Sequence, residues 1–172
     1  MISGSYTTRL ATLADAAAIA RIYNQGIEDR IATFETEPRT VDQIEQQLRE
    51  KGDRYPTVVV EQDGRVVAWA GASSYRARAA YAGIADHSVY VDRACRGRGA
   101  GRVALEALVP EYERRGFWKL SSRIFSDNAA SIALHERCGF RIVGTYRRHG
   151  KLDGVWKDCV IVEKLLGAAA LA

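Results

Sequence analysis

The segment from Val89 to Arg102 most constrains the fold, because it places closely spaced glycines between a strand and a helix. Glycine lets the backbone approach a ligand closely and turn its N–H groups inward, and the start of a helix adds partial positive charge. Arginines interleave with the glycines, so the turn predicts a cradle for a diphosphate rather than a carboxylate. The predicted anion-binding residues are Arg96, Gly97, Arg98, Gly99, Ala100, Gly101 and Arg102.

The same turn has three other interpretations. A dinucleotide-binding turn is disfavoured, because the glycines follow three consecutive predicted strands and no βαβ unit begins at the N-terminus. A nucleic-acid patch is disfavoured by a net charge of only +4 and by the lack of interleaved aromatic residues, so we expect no nucleic-acid partner. A solvated turn with incidental arginines stays open.

The composition bounds the class of protein. The 172 residues, 47% of them hydrophobic, suffice for one core and predict a single domain. Residues 1–91 carry 10 basic and 12 acidic side chains, whereas residues 92–172 carry 15 and 9, so an anionic ligand should prefer the second half. Three cysteines and three histidines without ligand spacing predict neither disulfides nor a metal site. No signal-peptide pattern or membrane-length apolar run is present, which predicts a soluble, cytoplasmic protein without a membrane partner.

Hydrophobic periodicity and turn residues predict an α/β fold with a mixed sheet and helices on both faces. The predicted order is β-α-α-β-β-β-α-β-α-β-β over a domain of residues 1–166, followed by a short alanine-rich, frayed tail at 167–172. An Asp-Gly pair predicts a hairpin turn, and Thr40 is expected to begin a polar helix. The predicted strands are Tyr6–Ala11, Thr57–Glu61, Val66–Ser73, Asp86–Val91, Lys119–Phe125, Arg141–Tyr146 and Asp158–Lys164, and the helices run from Thr12 or Asp15 to near Gly26, Thr40–Lys51, Gly99–Arg115 and Asn128–Cys138.

Two separated motifs carry a family resemblance. The glycine turn reads Arg96-Gly97-Arg98-Gly99-Ala100-Gly101, and a later predicted helix contains Leu134-His135-Glu136 before a closing Gly139-Phe140. In this order they resemble the diphosphate loop and the second cofactor helix of the GNAT superfamily of N-acetyltransferases. The resemblance implies the GNAT acyl-CoA N-acyltransferase fold, acetyl-CoA as cofactor and transfer of an acetyl group to an amine.

A narrower resemblance covers about residues 6–166. The chain is similar to the phosphinothricin acetyltransferase group, which includes enzymes that act on methionine sulfoximine or sulfone and on arsinothricin. The segments that carry it are Ile22–Gly26, Thr33–Thr40, Asp53–Pro56, Asp86–Val91 and Trp156–Asp158. Tyr23–Arg30 and Tyr146–Gly154 resemble the arsinothricin-resistance branch most.

The resemblance implies how the cofactor is held. Ser88–Val91 would correspond to the family's splayed strand, whose backbone pairs with the pantetheine arm and places an N–H near Val89 against the oxyanion. Asn128 is expected to cap its helix and to bond a pantetheine amide. The implied cofactor contacts outside the glycine turn are Val89, Tyr90, Val91, Asn128 and Ser131.

Asp86 occupies the position where the family usually has a glutamate general base. Its carboxylate is one methylene shorter, so we predict a water relay from Asp86 to the substrate ammonium. An ordinary turn hydrogen bond at a strand start is the structural alternative. His87 is predicted to face away from Asp86, because side chains alternate along a strand.

His135 falls where many family members have a tyrosine that protonates the coenzyme thiolate, so the resemblance implies a general acid. A hydrogen-bonded structural histidine on a half-buried helix is the alternative. No cysteine has a partnered base in a recognisable motif, which predicts direct transfer in a ternary complex.

The implied substrate contacts come from several segments. Arg76 and Arg78 are the predicted donors to a carboxylate and a second oxyanion, because an arginine fork matches both, and two solvated loop arginines are the alternative. Phe34 and Tyr75 would wall the methylene chain. The group commonly forms homodimers through the C-terminal strands, which predicts a homodimer here. Ser88 adds to the predicted pocket, and Arg147, Lys151 and Trp156, from the same or the neighbouring subunit, complete it.

These features predict an enzyme that acetylates the α-amino group of a small glutamate-like amino acid bearing a tetrahedral oxyacid group, with detoxification or resistance as its role. Two alternatives stay open. One is a transferase for protein N-termini or lysines, which would need an open acidic groove. The other is a non-catalytic acetyl-CoA-binding module. Asp86 in place of the family's usual glutamate would be consistent with such a loss of catalysis.

Overall fold

Seven strands form one mixed sheet in the computed structural model, which describes residues 5–172. Their spatial order is β1-β2-β3-β4-β5-β7-β6, and helices cover both faces, so the predicted α/β class and element order are confirmed. The strands are β1 Thr7–Leu10, β2 Thr57–Gln62, β3 Arg65–Ser74, β4 Ile84–Val91, β5 Lys119–Phe125, β6 Arg141–Leu152 and β7 Val155–Leu165. The helices are α1 Ala16–Asp29, α2 Val41–Lys51, α3 Ala100–Arg114, α4 Ala129–Arg137 and α5 Ala168–Leu171.

Alternating side chains on the strands divide the core into two layers. Val58 and Val60 of β2 pack into the cluster that contains α3, whereas Val59 between them packs into the cluster of α1 and α2. This is the period-two pattern that a strand covered on both faces requires. The same alternation runs through β4, and it decides which of its side chains reach each face of the sheet.

The parallel pair β4 and β5 stays together over a short distance only. Ile84 to Asp86 pair with Lys119 to Ser121, and no later residue of β4 pairs with β5. Beyond that point β5 pairs only with β7, while β4 continues along β3 as far as Val91. The backbone of residues 88–91 therefore faces a gap in the middle of the sheet, as the splayed strand of the resemblance implies.

The C-terminal end of helix α1 differs from the prediction. The helix runs to Asp29 and ends at Arg30, whose φ of 56° is left-handed, and not near Gly26. Gly26 serves packing instead, because a Cβ there would lie 2.8 Å from a ring carbon of Tyr90. The predicted start of α2 is confirmed, since Thr40 accepts the amide hydrogen of Gln43 in a capping box.

The C-terminal region differs most from expectation. β6 and β7 extend well beyond the predicted Arg141–Tyr146 and Asp158–Lys164, and they form a long hairpin that turns at Asp153 and Gly154. The predicted frayed tail contains the single helical turn α5. None of the helices among residues 5–172 is long and apolar enough to cross a bilayer.

Candidate active site

The glycine turn forms the N-terminal approach to α3. Gly97 and Gly99 have φ values of 75° and 91°, which side chains other than glycine rarely tolerate. Gly101 serves close packing, because a Cβ there would lie 3.0 Å from a methyl carbon of Leu134 on α4. A cavity of about 560 Å³ lies in front of this turn, and every predicted cofactor contact except Arg98 lines it.

The arginines of the turn are less available than the sequence suggests. Arg96 donates to Asp29 at 2.6 Å and Arg102 to Glu106 at 2.6 Å, so two of the three predicted charges already have carboxylate partners. The side chain of Arg98 makes no ion pair within residues 5–172, and its backbone carbonyl accepts the hydroxyl hydrogen of Tyr6. The main-chain N–H groups and the dipole of α3 therefore supply most of the attraction for a diphosphate.

A second, narrow cavity of about 40 Å³ lies at the gap between β4 and β5. It shares Val89, Tyr90, Asn128 and Ser131 with the larger cavity, so the two adjoin. The predicted cap is confirmed, because the Asn128 side-chain oxygen accepts the Ser131 N–H at 3.2 Å. The Asn128 amide also donates to the carbonyl of Ile31 at 3.1 Å, which ties α4 to the loop after α1.

His135 borders this gap as half of a buried histidine pair. Its Nδ1 lies 2.7 Å from the Ser131 carbonyl oxygen, so Nδ1 carries the proton, and its Nε2 lies 2.9 Å from Nε2 of His87. In the neutral pair His87 then donates from Nε2, and its own Nδ1 lacks a partner in hydrogen-bonding geometry. Burial lowers the pKa of both imidazoles, that of His87 to about 3. Both nitrogens of His135 are engaged, so its acid role stays a prediction that requires one of these bonds to break.

Asp86 lies on the other face of the sheet from His87, as the alternation predicts. It lines a cavity of about 450 Å³ between the sheet and helices α1 and α2. Its carboxylate lies 3.3 Å from the guanidinium of Arg123 on β5. Burial raises the pKa of Asp86, and the positive charges of Arg123 and Arg76 partly oppose this shift. A carboxylate with a raised pKa is a stronger base than an exposed one.

The structure brings only some of the predicted substrate contacts to this cavity. Ser88 lines it, and Arg76 is close enough for its charge to lower the pKa of Asp86. Tyr75 packs edge-on against Tyr81, with the Arg76 guanidinium 5.1 Å from its ring centre. Phe34 packs instead on Phe125 with ring centres 4.8 Å apart, and neither Arg78 nor Arg147, both exposed, lines the cavity.

Sequence reasoning missed most of the cavity wall. The apolar part comes from α1, α2 and β3, and polar groups come from both helices and the loop between them. Periodicity places several of these residues in the core or on a polar helix, but the sequence carries no signal that they meet around one space. The lining residues that were not predicted include Tyr23, Arg39, Ile44, Leu48, Lys51, Trp69 and Ser73.

Comparison with known proteins identifies the family. The family model described as "Acetyltransferase (GNAT) family" matches residues 19–140. The chain is 36% identical over 150 residues to phosphinothricin N-acetyltransferase of Streptomyces viridochromogenes, covering 87% of this chain and 82% of that protein. It is 34% identical over 160 residues to an L-methionine sulfoximine/L-methionine sulfone acetyltransferase of Salmonella typhimurium, covering 91% and 92%.

A solved structure agrees with these relatives. The crystal structure of a GNAT superfamily phosphinothricin acetyltransferase from Sinorhizobium meliloti in complex with acetyl-CoA superposes with a TM-score of 0.88 at 32% identity. The superposition covers 97% of this chain and 91% of that one. The glycine turn, the close approach at Gly101 and the unpaired backbone of β4 suit the diphosphate and the pantetheine arm of this cofactor. The chain is therefore an acetyl-CoA-dependent N-acetyltransferase that belongs to the GNAT superfamily.

Proposed function

We propose that this enzyme acetylates the α-amino group of a small glutamate-like amino acid that bears a tetrahedral oxyacid group, as phosphinothricin, methionine sulfoximine or sulfone, and arsinothricin do. The observation that carries the proposal is the cavity of about 450 Å³, because it contains Asp86 and Ser88 where β4 leaves β5. Its volume suits a small ligand rather than a folded protein surface. The names of the relatives that act on such amino acids support the same class.

The amine must lose a proton before it attacks, and Asp86 is the base in this proposal. The bond to Arg123 holds the carboxylate at the sheet, and a water molecule relays the proton from the substrate ammonium to it. Bound acetyl-CoA supplies the acetyl thioester. Of the backbone N–H groups of residues 88–91, the alternate ones that do not bond to β3 face the gap left by β5, and they are the donors proposed for the developing oxyanion, with Val89 the nearest.

The cysteines favour direct transfer to the amine. Cys138 and Cys159 are buried, and burial raises the pKa of both thiols, which keeps them protonated and unreactive. The proposal leaves His135 as the source of the proton for the departing thiolate, which requires its Nδ1–H to leave the Ser131 carbonyl. Cysteines 95, 138 and 159 are free, which supports the proposed cytoplasmic location.

Substrate carboxylate binding is assigned to the loop after β3. Arg76 is the main donor in this proposal, because its charge acts on Asp86, next to which the α-carboxylate must lie. Arg78, Tyr75 and Phe34 would close over the substrate. Arg147 lies on the exposed strand β6, so it would reach a substrate only across a homodimer. We also propose this homodimer, and the exposed hairpin of β6 and β7 supports it.

A thiol-release assay tests the function. Purified enzyme with acetyl-CoA should release coenzyme A with phosphinothricin, methionine sulfoximine or arsinothricin, and much more slowly with a lysine-containing peptide. Faster release with the peptide would favour a protein acetyltransferase. Calorimetric binding of acetyl-CoA without thiol release from any amine would favour a binding module. A resistance role additionally requires that cells expressing the enzyme survive the toxic amino acid.

A further inference from the structure

Lys51 is a cation of the Asp86 cavity without a protein partner. It is the last residue of α2, its side chain is half-buried, and it lines the cavity of about 450 Å³. Its ammonium group makes no hydrogen bond or ion pair with any of residues 5–172. Arg39, the other cation of this cavity wall, is paired with Glu35. The charge on Lys51 is therefore left without a counter-ion inside a ligand-sized space.

The burial of an unpaired ammonium is unfavourable and calls for an anion. Removal from water lowers the pKa of Lys51, and no carboxylate counters this with an ion pair, although the adjacent Glu50 lines the same cavity. The carbonyl groups at the C-terminal end of α2 attract the charge only weakly. An anionic group of a ligand in the cavity would supply the missing partner and recover the cost of desolvation.

The other residues that line the cavity indicate what kind of ligand would carry the anionic group bound by Lys51. Ile44, Leu48 and Trp69 give the cavity an apolar side, and Asp86 gives it a group that accepts an amine. No ion pair joins Lys51 to Asp86, whose carboxylate pairs with Arg123, so the cation and the carboxylate of the cavity do not neutralise each other. Arg76 acts on Asp86 and so serves the α-carboxylate, which leaves Lys51 for a second anion.

We propose that Lys51 binds the distal anionic group of the substrate and selects amino acids with a charged side-chain end over those with an uncharged one. The inference rests on the proposed function and assigns a specificity residue to the same site. It predicts that a phosphinate, with a full negative charge, gains more from Lys51 than a sulfone, which has oxygen acceptors but no net charge.

Steady-state kinetics of the variant Lys51→Met with phosphinothricin and with methionine sulfone test this proposal. Both substrates carry the same α-amino acid head, so only the distal group differs. We expect KM for phosphinothricin to rise about 10- to 100-fold, the usual loss of a hydrogen bond between charged groups, with kcat nearly unchanged. KM for methionine sulfone should change less than about 2-fold, and Lys51→Arg should retain most of the preference.

Arg49→Met is the matched control. It removes one positive charge from the same end of α2, but Arg49 pairs with Glu45 and does not line the cavity. Its KM values and those of the wild type should agree, and all variants should bind acetyl-CoA with the wild-type Kd in calorimetry. Equal rises in KM for both substrates, or no rise for either, would reject the inference alone. Wild-type enzyme that acetylates neither substrate would reject the proposed function, and this inference with it.

Discussion

Asp86 meets two demands that oppose each other. As the proposed base it must be ionised beside the substrate, yet it is removed from most of the solvent on the inner part of β4. Burial raises its pKa, and the single contact with Arg123 at 3.3 Å does not cancel this effect. Catalytic groups commonly lower the stability of the fold in this way.

The variant Asp86→Asn should separate the two demands. We expect kcat/KM to fall by about 100-fold or more, because a general base contributes about that much. The folded state at neutral pH should become more stable, since the variant no longer ionises a buried carboxyl. The pKa of Asp86 is raised on folding, so the destabilisation is absent at low pH and appears as pH rises through the raised value.

Urea denaturation at pH 7 and pH 4 measures this difference. The midpoint of Asp86→Asn should exceed that of the wild type at pH 7, and the gap should narrow at pH 4. Calorimetric affinity for acetyl-CoA, which Asp86 is not proposed to contact, serves as the control for correct folding. A variant that is less stable than the wild type at pH 7 would show that the bond to Arg123 outweighs the cost of burial.

At the level of elements, the sequence predicts what depends on neighbours along the chain. The start of α2 rests on Thr40 and Gln43, the hairpin of β2 and β3 on Asp63 and Gly64, and the end of α4 on Gly139, all of which are local signals. The end of α1 was wrong because Gly26 resembles a helix terminator, whereas its smallness serves the ring of Tyr90, which is far away in sequence.

The candidate site also contains features that local sequence predicts and features that depend on residues far apart in the chain. The glycine positions of the anion cradle follow from a strand, a turn and a helix in sequence, and the structure places them at the largest of the three cavities described above. The partner of Arg96 is Asp29, which is 67 residues away, and Lys51 resembles any other charge on a polar helix. Pairing and burial of this kind depend on tertiary packing, so no local pattern indicates them.

The hairpin of β6 and β7 is the element on which the proposed homodimer depends. Strand β6 forms one edge of the sheet, and Tyr146, Val155 and Trp156 of the hairpin are 51%, 61% and 53% exposed. A long edge strand beside exposed apolar side chains is uncommon in a monomer and suits a second copy of the chain. We expect the wild type to sediment at twice the mass of the chain.

Trp156→Lys should yield a monomer, because it places a charge in the proposed apolar interface. Leu10→Lys is the control, since Leu10 is 42% exposed on β1, at the opposite edge of the sheet. Sedimentation velocity over a range of concentrations distinguishes the outcomes. A monomeric wild type would reject the dimer, and dissociation by Leu10→Lys alone would place the interface at the β1 edge.

At the scale of the whole molecule, the sheet has two covered faces, and alternate side chains of β4 point to one face and then the other. Asp86 faces the cavity beneath α1 and α2, whereas the next residue, His87, is buried on the face that carries α4. The gap between β4 and β5 joins these two faces, so under the proposed function the acyl carrier on one face would meet the amine on the other. The histidine pair lies beside this passage and links α4 to the strand.

This buried pair should make the whole fold sensitive to acid. His87 and His135 are 3% and 2% exposed, and burial lowers the pKa of His87 to about 3 and that of His135 below its usual range. The unfolded chain binds protons at both below about pH 6.5, but the folded chain does not. The free energy of unfolding should therefore fall as pH drops from about 6.5 towards 3, by up to about 1.4 kcal/mol per pH unit from His87, and the lowered pKa of His135 adds to the fall below about pH 6.5.

Urea denaturation at pH 7, 6 and 5 tests this expectation with the double variant His87→Gln/His135→Gln. The variant should be less stable than the wild type at pH 7, because it disturbs a packed pair, but its stability should depend less on pH over this range. His149→Gln, which changes a histidine stacked on Tyr146 at the partly exposed hairpin, should retain the wild-type slope. If the double variant also retains that slope, the buried histidine pair does not govern the acid response over this range, since carboxylates such as Asp15, whose pKa is lowered by its pair with Arg9, lose their stabilisation only below about pH 5.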